Sequence, residues 1–329
     1  MLNKKVLSVF TSLLLSTMFL GGCASKPTAT TTPDATKSSK LVIGFAQIGQ
    51  ESGWRDAETA SIKLIPDQNP DVDLKFSDGQ QKQENQIKAI RAFIQQKVDV
   101  IAVAPVVETG WDAVLTEAKN AKIPVIFVDR TAKVDKSLFA TFIGSDFINE
   151  GKNACIELAK AMGDKGNIVE LQGTVGASAA TDRQKGFLDE LKNHPGMKII
   201  KSQSGDFNRA TGKQVMEAFL KSEGKNIQGL YAHNDDMAVG AIQAIEEAGI
   251  KPGTDIKVAS IDGVKDEFVN MAAGKANVIV ECNPLLGPQL VQAARDLKAG
   301  KTLERWIKSD EAVFSGADAA TKALPSRKY

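Results

Sequence analysis

Strand-like and helix-like runs alternate along most of this chain, which predicts the α/β class: two doubly wound parallel-sheet domains joined by a multi-strand hinge. Three observations carry that expectation. Short apolar runs such as PVIFV and VIV lie between amphipathic stretches of about 10–15 residues, the pattern of βαβ units. At 329 residues the chain also exceeds what one hydrophobic core usually encloses. Finally, the rhythm breaks once, at FATFIGSD (139–146), which follows a strand with only a charged loop between; a second βα set begins after it.

Taken in order, the first elements are not part of the fold. Lys4 and Lys5 precede a mostly apolar run from Val6 to Leu20 that is short and poorly flanked for a spanning helix. It ends at Leu20-Gly21-Gly22-Cys23, which resembles the bacterial lipoprotein box, although a plain secretory signal with an incidental cysteine has the same outline. Residues 1–22 are therefore expected to be a lipoprotein signal peptide, with Cys23 the lipidated first residue of the mature chain. Residues 23–39 are rich in Ser, Thr, Pro and Ala, cannot bury a core, and read as a flexible tether. The resulting location is extracytoplasmic, anchored to the membrane by lipid without spanning it.

The first set then runs LVIGFAQ (41–47), a helix from Trp54 to about Ile65, and DLKFSDG (73–79). A helix at 83–96 follows, with Ile87, Ile90 and Ile94 on one face. VDVIAVAP (98–105), a helix at 110–121 and PVIFVD (124–129) complete it. The second set starts with a helix at 148–162 and continues through NIVELQG (167–173), helix 178–193, MKIIKSQ (197–203) and helix 209–221. GLYAHN (229–234), helix 236–248, IKVASID (256–262), helix 265–273 and ANVIVEC (276–282) close it. A last helix at 286–299 precedes a short strand around 312–315. Crossings near Asp146, Asn283 and 311 divide the chain into an N-terminal lobe of 40–145 plus 283–311 and a C-terminal lobe of 146–282 plus 312–329. Cys155 and Cys282 read as buried free thiols, although an extracytoplasmic location would allow a disulfide.

Several function classes fall away. A net charge of +1, with no basic stripe and no Cys/His zinc spacing, argues against nucleic acid. His194 and His233 are the only histidines, and no nucleophile elbow, metalloprotease helix or phosphate loop is present. No enzyme, cofactor or metal is expected.

What remains is a set of polar residues where buried strands end: Asp129-Arg130, Asn234, Asp262 and Glu281. Ligands of open α/β sheets sit just beyond such ends. Carboxylates, amides and guanidinium groups suit a belt of hydroxyls, whereas the indole of Trp54 and the ring of Phe207 suit an apolar C–H face. That combination points to a neutral sugar. Each residue also has a plainer reading: Asp129-Arg130 as a surface ion pair, Trp54 as core, Asp262-Gly263 as a turn, and Asp235 or Asp236 as a helix cap.

The segments PVIFVDR (124–130), ELQGTVGASAATDRQKGF (170–187), SQSGDFNRATG (202–212), HNDDMAVGAIQAI (233–245) and SIDGV (260–264) resemble the periplasmic sugar-binding proteins of the ribose/galactose type. GQESGWRDAE (49–58) and DGQQKQENQIKAIR (78–91) look like the branch that binds galactofuranose. The resemblance covers 41 to about 315 and implies the type I periplasmic binding protein fold. It places sugar contacts at Trp54, Asp129, Arg130, Arg183, Phe207, Asn234 and Asp262, with Glu51 and Glu281 where ribose binders carry amides. It also implies a monomer that delivers a monosaccharide to an ABC permease and its ATPase. A sugar or autoinducer receptor signalling to a membrane sensor is the alternative.

Overall fold

A computed structural model describes residues 40–329. The expected signal peptide (1–22), the lipidation site Cys23 and the tether (23–39) lie outside the described residues.

The first set comprises β1 (Leu41–Gln47), α1 (Gly53–Lys63), α2 (Ile65–Gln68), β2 (Val72–Asp78), α3 (Gln83–Gln95), β3 (Val100–Val103), α4 (Asp112–Asn120), β4 (Val125–Val128) and β5 (Thr141–Gly144). The second comprises α5 (Phe147–Met162), β6 (Gly166–Gln172), α6 (Ser178–Leu191), β7 (Met197–Ser204), α7 (Arg209–Glu223), β8 (Gly229–Ala232), α8 (Asp235–Glu247), β9 (Lys257–Asp262), α9 (Lys265–Ala272) and β10 (Val278–Glu281). Then come α10 (Gly287–Lys298), β11 (Trp306–Lys308), β12 (Val313–Ser315) and α11 (Ala317–Ala323).

Two six-stranded sheets result, ordered β11-β5-β4-β3-β1-β2 and β12-β10-β9-β8-β6-β7. All neighbours are parallel except β10 and β12. Each sheet repeats one doubly wound order, in which the first strand lies between the second and the third. That order puts a topological switch point beside β1 in one sheet and beside β6 in the other. Continuous apolar runs fit strands covered on both faces: β3 and β4 are buried at every position.

The chain passes between the sheets three times, after β5, after β10 and between β11 and β12. After the second pass, Leu286 at the N-cap of α10 and Leu290, Val291 and Ala294 within it pack into the core under β1 and β3. Strand β11 is one element the sequence reading did not place. Three residues at a sheet edge carry little periodic signal, and Trp306 holds them there: its ring lies 5.7 Å from Phe142 and its indole N–H donates to the Gly144 carbonyl at 3.0 Å. Trp111 is fully buried and donates to the Val107 carbonyl at 2.7 Å.

Cys155 and Cys282 are free and buried, as the sequence reading had it. Burial pushes the Cys155 thiol up to about 12. Among the described residues, no helix is long and apolar enough to cross a membrane.

Candidate functional site: a charged chamber between the two sheets

Loops at the carboxyl ends of both sheets meet around one small cavity of about 20 Å³. Glu51, Ser52, Trp54, Arg55, Asp129 and Arg130 line it from the first sheet. Ala179, Arg183, Phe207, Asn234, Asp262 and Cys282 line it from the second.

On the first side, α1 begins at Ser52, whose hydroxyl accepts from the Arg55 amide at 3.2 Å. This cap starts the helix that carries Trp54 and Arg55 into the chamber wall. Arg55 is 1% exposed and sits among three carboxylates, bonding Glu51 (3.2 Å), Glu58 and Asp129. Burial alone would lower its pKa, but Asp129, Glu58 and Glu51 together hold it well above the ordinary value. Arg130 is bonded differently. One nitrogen donates to Glu51 at 2.5 Å, while Nε and Nη1 are buried with no hydrogen-bond partner. Burial lowers its pKa, and the like charges of Arg55 and Arg183 act in the same direction against Glu51 and Asp129.

Arg183 faces it from α6. Tight packing of α6 on α5 positions it: a Cβ at Gly151 would lie 2.0 Å from the Arg183 carbonyl oxygen, and one at Gly186 2.0 Å from that of Ile148. Only glycine allows this approach. Arg183 donates to Glu150 at 2.7 Å, to the His233 carbonyl at 2.6 Å and to Asp262 at 3.3 Å. Burial raises the Asp262 carboxyl well above its ordinary pKa, against the pull of Arg183.

Backbone conformation marks the same residues. Asp129 (φ 61°), Phe207 (φ 59°) and Asp262 (φ 134°) are non-glycine residues at positive φ, and all three line the chamber. Such conformations cost on the order of 1–3 kcal/mol and cluster at ligand clamps. The Phe207 ring seals against Gly173, where a Cβ would lie 2.0 Å from the ring, and Arg130 lies over it at 4.9 Å. The Trp54 indole N–H donates to the Cys282 carbonyl at 2.6 Å, so this tryptophan both packs and lines the chamber.

Two expectations need correcting. Asn234 itself is the N-cap of α8, accepting from the Met237 amide at 3.1 Å, and its amide nitrogen donates to the Phe207 carbonyl at 3.1 Å. Asp235, one of the two expected caps, instead binds Ser260 and the Gly263 and Val264 amides. Glu281 does not line the chamber. Its carboxylate is taken by Arg327 at 2.5 Å, Tyr329 at 3.3 Å and the Ala312 amide at 3.1 Å, because the returning C-terminal segment covers the end of β10. Ser52, Arg55, Ala179 and Cys282 are lining residues the sequence reading missed. For Arg55 the only signal is spacing: Glu51 stands four residues before it, just ahead of α1, and Glu58 three residues after it.

Chemically the chamber offers donors and acceptors and little else. No histidine lines it, and burial keeps the Cys282 thiol protonated by raising its pKa well above the ordinary value. His233 lies behind the wall, bonded to Glu170 at 3.0 Å and accepting from the Gly173 amide at 3.3 Å. Glu150, Cys282 and Glu311 bring ligand atoms within 4.8 Å of one another. However, the Arg183 guanidinium on Glu150 already supplies the positive charge there, a poor setting for a cation.

Residues 43–302 match the periplasmic binding protein domain family. The galactofuranose-binding protein YtfQ of Escherichia coli (strain K12) is 50% identical over 295 residues, which is 88% of this chain and 92% of that protein. A solved binding protein of the arabinose ABC transporter from Shewanella sp. ANA-3, bound to α- and β-L-arabinofuranose, superposes with a TM-score of 0.84. It is 49% identical, over 87% of this chain and 95% of its own. A Mycobacterium smegmatis protein in complex with β-D-fucofuranose also reaches 0.84, at 51% identity over 88% and 95%. Family, fold and the lining chemistry agree on binding rather than catalysis. This chain belongs to the periplasmic binding protein family.

Proposed function

We propose that this chain is the substrate-binding protein of a sugar ABC transporter. It closes on a monosaccharide in furanose form, galactofuranose or a close relative, and delivers it to the permease. The lobes are 40–145 plus 283–311 and 146–282 plus 312–329, and Cys23 carries the lipid anchor. The observation that carries the reading is Arg130: two buried, unpartnered donors on a wall opposite the Asp262 carboxylate. A buried donor without a partner costs about 1–3 kcal/mol, so a ligand that supplies oxygen there recovers that energy. A neutral sugar does so without adding charge to a site that already balances its own. The similar proteins whose names include galactofuranose, arabinofuranose and fucofuranose support the five-membered ring.

Calorimetric titration with methyl glycosides locked as furanosides or pyranosides of galactose, arabinose and fucose tests it. Tight binding of a furanoside, at least tenfold above its pyranoside, is expected; no binding, or preference for pyranosides, overturns it. For the anchor, Cys23→Ser should release the protein from the membrane fraction, and retention there contradicts lipidation.

A further inference from the structure

Beside the chamber, one carboxylate reaches from one sheet's helices to the other's. Asp236, in the first turn of α8, accepts from the Gly53 amide at 2.8 Å. Gly53 is the first residue of α1, so its N–H is one of the four that a helix start leaves without an internal partner. The Ser52 hydroxyl satisfies the Arg55 amide of that turn; the other sheet's domain satisfies the Gly53 amide. Arg209 holds Asp236 in place, donating to its second oxygen at 3.1 Å and to Asp266 at 2.9 Å. Asp236 is 5% exposed, and neither it nor Gly53 lines the chamber. Two further backbone amides of the first domain donate across to the second: Glu108 to the Gly176 carbonyl at 2.9 Å, and Thr131 to the Ser178 hydroxyl at 3.1 Å.

We infer that Asp236 is a positioning residue, a latch that completes the N-terminus of α1 only when the two lobes are closed. A carboxylate against a helix start is favourable both as a cap and through the helix dipole. Opening the cleft removes Asp236 from α1 and leaves the Gly53 amide to water. The helix it grips carries Trp54 and Arg55, so the latch holds two chamber residues in register without touching the ligand. Because it acts on closure, it scales the affinity for every ligand by one factor: apparent affinity follows the fraction of chains in the competent state. Discrimination between sugars stays with the chamber. This inference rests on the proposed reading that a ligand is held between the lobes.

The site allows a clean test. Gly53→Pro deletes the donor and sets its ring Cδ where the amide hydrogen faced Asp236, so it bars the contact as well as the bond, while α1 itself accepts it: proline is favoured at the first helical position, and Ser52 already has the extended conformation that a residue before proline requires (φ −156°, ψ 165°). Gly53→Ala keeps the N–H and puts a Cβ in ordinary contact, 3.4 Å from Asp236. Asp236→Ala removes the acceptor without crowding α1, although it also removes an acidic residue from the first turn of α8, so the two variants are read together: Asp236→Ala should show a loss of the same size, and unchanged affinity there overturns the latch. Expected for Gly53→Pro is an affinity loss of about tenfold, or about 1.4 kcal/mol, equal for each furanoside that binds, with faster dissociation. Gly53→Ala should stay within about twofold, and Gly53→Pro in the Asp236→Ala background should add little. Equal affinities for Gly53→Pro and Gly53→Ala, or losses that differ from sugar to sugar, overturn the latch. Should the unaltered chain bind no sugar, the proposed function falls. Spin-label distances between the lobes then decide alone: a closed fraction unchanged by Gly53→Pro overturns the latch, and a reduced one supports it.

Discussion

Arg130 and Arg183 look into one chamber from opposite sheets, both buried, and they are bonded in contrasting ways. Arg183 donates to Glu150, to the His233 carbonyl and to Asp262, and its charged form is strongly favoured. Arg130 has one carboxylate partner within hydrogen-bond reach and two buried nitrogens without any, and burial disfavours its charge. The physical lesson is that two guanidiniums in one cavity divide the work. One is already spent on the fold and orients an acceptor, Asp262; the other is left incomplete for a ligand to complete.

The contrast breaks if the two arginines respond alike to truncation. Arg183→Met strands Glu150 as an uncompensated buried carboxyl, which should cost about 3–5 kcal/mol of stability and show as a large fall in thermal midpoint. A midpoint within a degree or two of the unaltered chain would mean that Glu150 takes up a proton at little cost. Arg130→Met leaves Glu51 and Asp129 still paired with Arg55 and should leave the midpoint close to that of the unaltered chain. Its effect appears in sugar titration, as an affinity loss of at least about 30-fold, corresponding to roughly 2 kcal/mol or more. Asp262→Ala comes next, at about tenfold or more in affinity with the fold intact, since it removes an acceptor whose positive-φ backbone is already accommodated. Unchanged affinity would take Asp262 out of the site.

A fourth expectation concerns the passes between the sheets, where Ser145, Cys282 and Glu311 meet. The Ser145 hydroxyl donates to Glu311 and lies 3.2 Å from the Cys282 sulfur. Burial and the nearby Glu150 push the Glu311 carboxyl from 4.5 up to about 8. A folded-state pKa above the unfolded one means that the native chain holds a proton which the unfolded chain releases. That contribution is complete below about pH 4.5 and is lost as pH rises through about 8. Stability should therefore fall between about pH 4.5 and 8, by on the order of 1 kcal/mol per pH unit from this group, and Glu311→Gln should flatten the fall. Coincident urea-unfolding curves for the two proteins at each pH would show that Glu311 is ionised in the fold.

Much of this was legible in the sequence, for identifiable reasons. Uninterrupted apolar runs such as Val125–Val128 announce strands covered on both faces, and the polar residues directly after them, Asp129, Arg130 and Asp262, reach the chamber because the parallel order puts strand ends there. What escaped lay in side-chain pairing. Arg55 belongs to a Glu-Arg-Glu run at helical spacing, which ordinarily reads as a solvated face; only β4 and Asp129 packing on it make it interior. Asn234 and the two aspartates after it are all cap-forming residue types, so sequence could not choose among them, and the Phe207 carbonyl decides. The Asp236–Gly53 bond spans 183 positions and has no local signature at all.

Glu281 is the smallest expected effect and the sharpest check on that reasoning. It ends a buried strand just as Asp262 does, and the two are paired neighbours in β10 and β9. Strand-end position alone would make them equivalent. Their partners differ: Asp262 meets Arg183 inside the chamber, whereas Glu281 meets Arg327, Tyr329 and the Ala312 amide from the C-terminal segment. Glu281→Gln should thus change sugar affinity by no more than about twofold, while lowering stability by on the order of 1 kcal/mol through the weakened bond to Arg327. Titration and thermal unfolding on one preparation check both. A tenfold affinity loss at unchanged stability would return Glu281 to the site and make strand-end position, rather than the partner it faces, the property that selects a ligand residue.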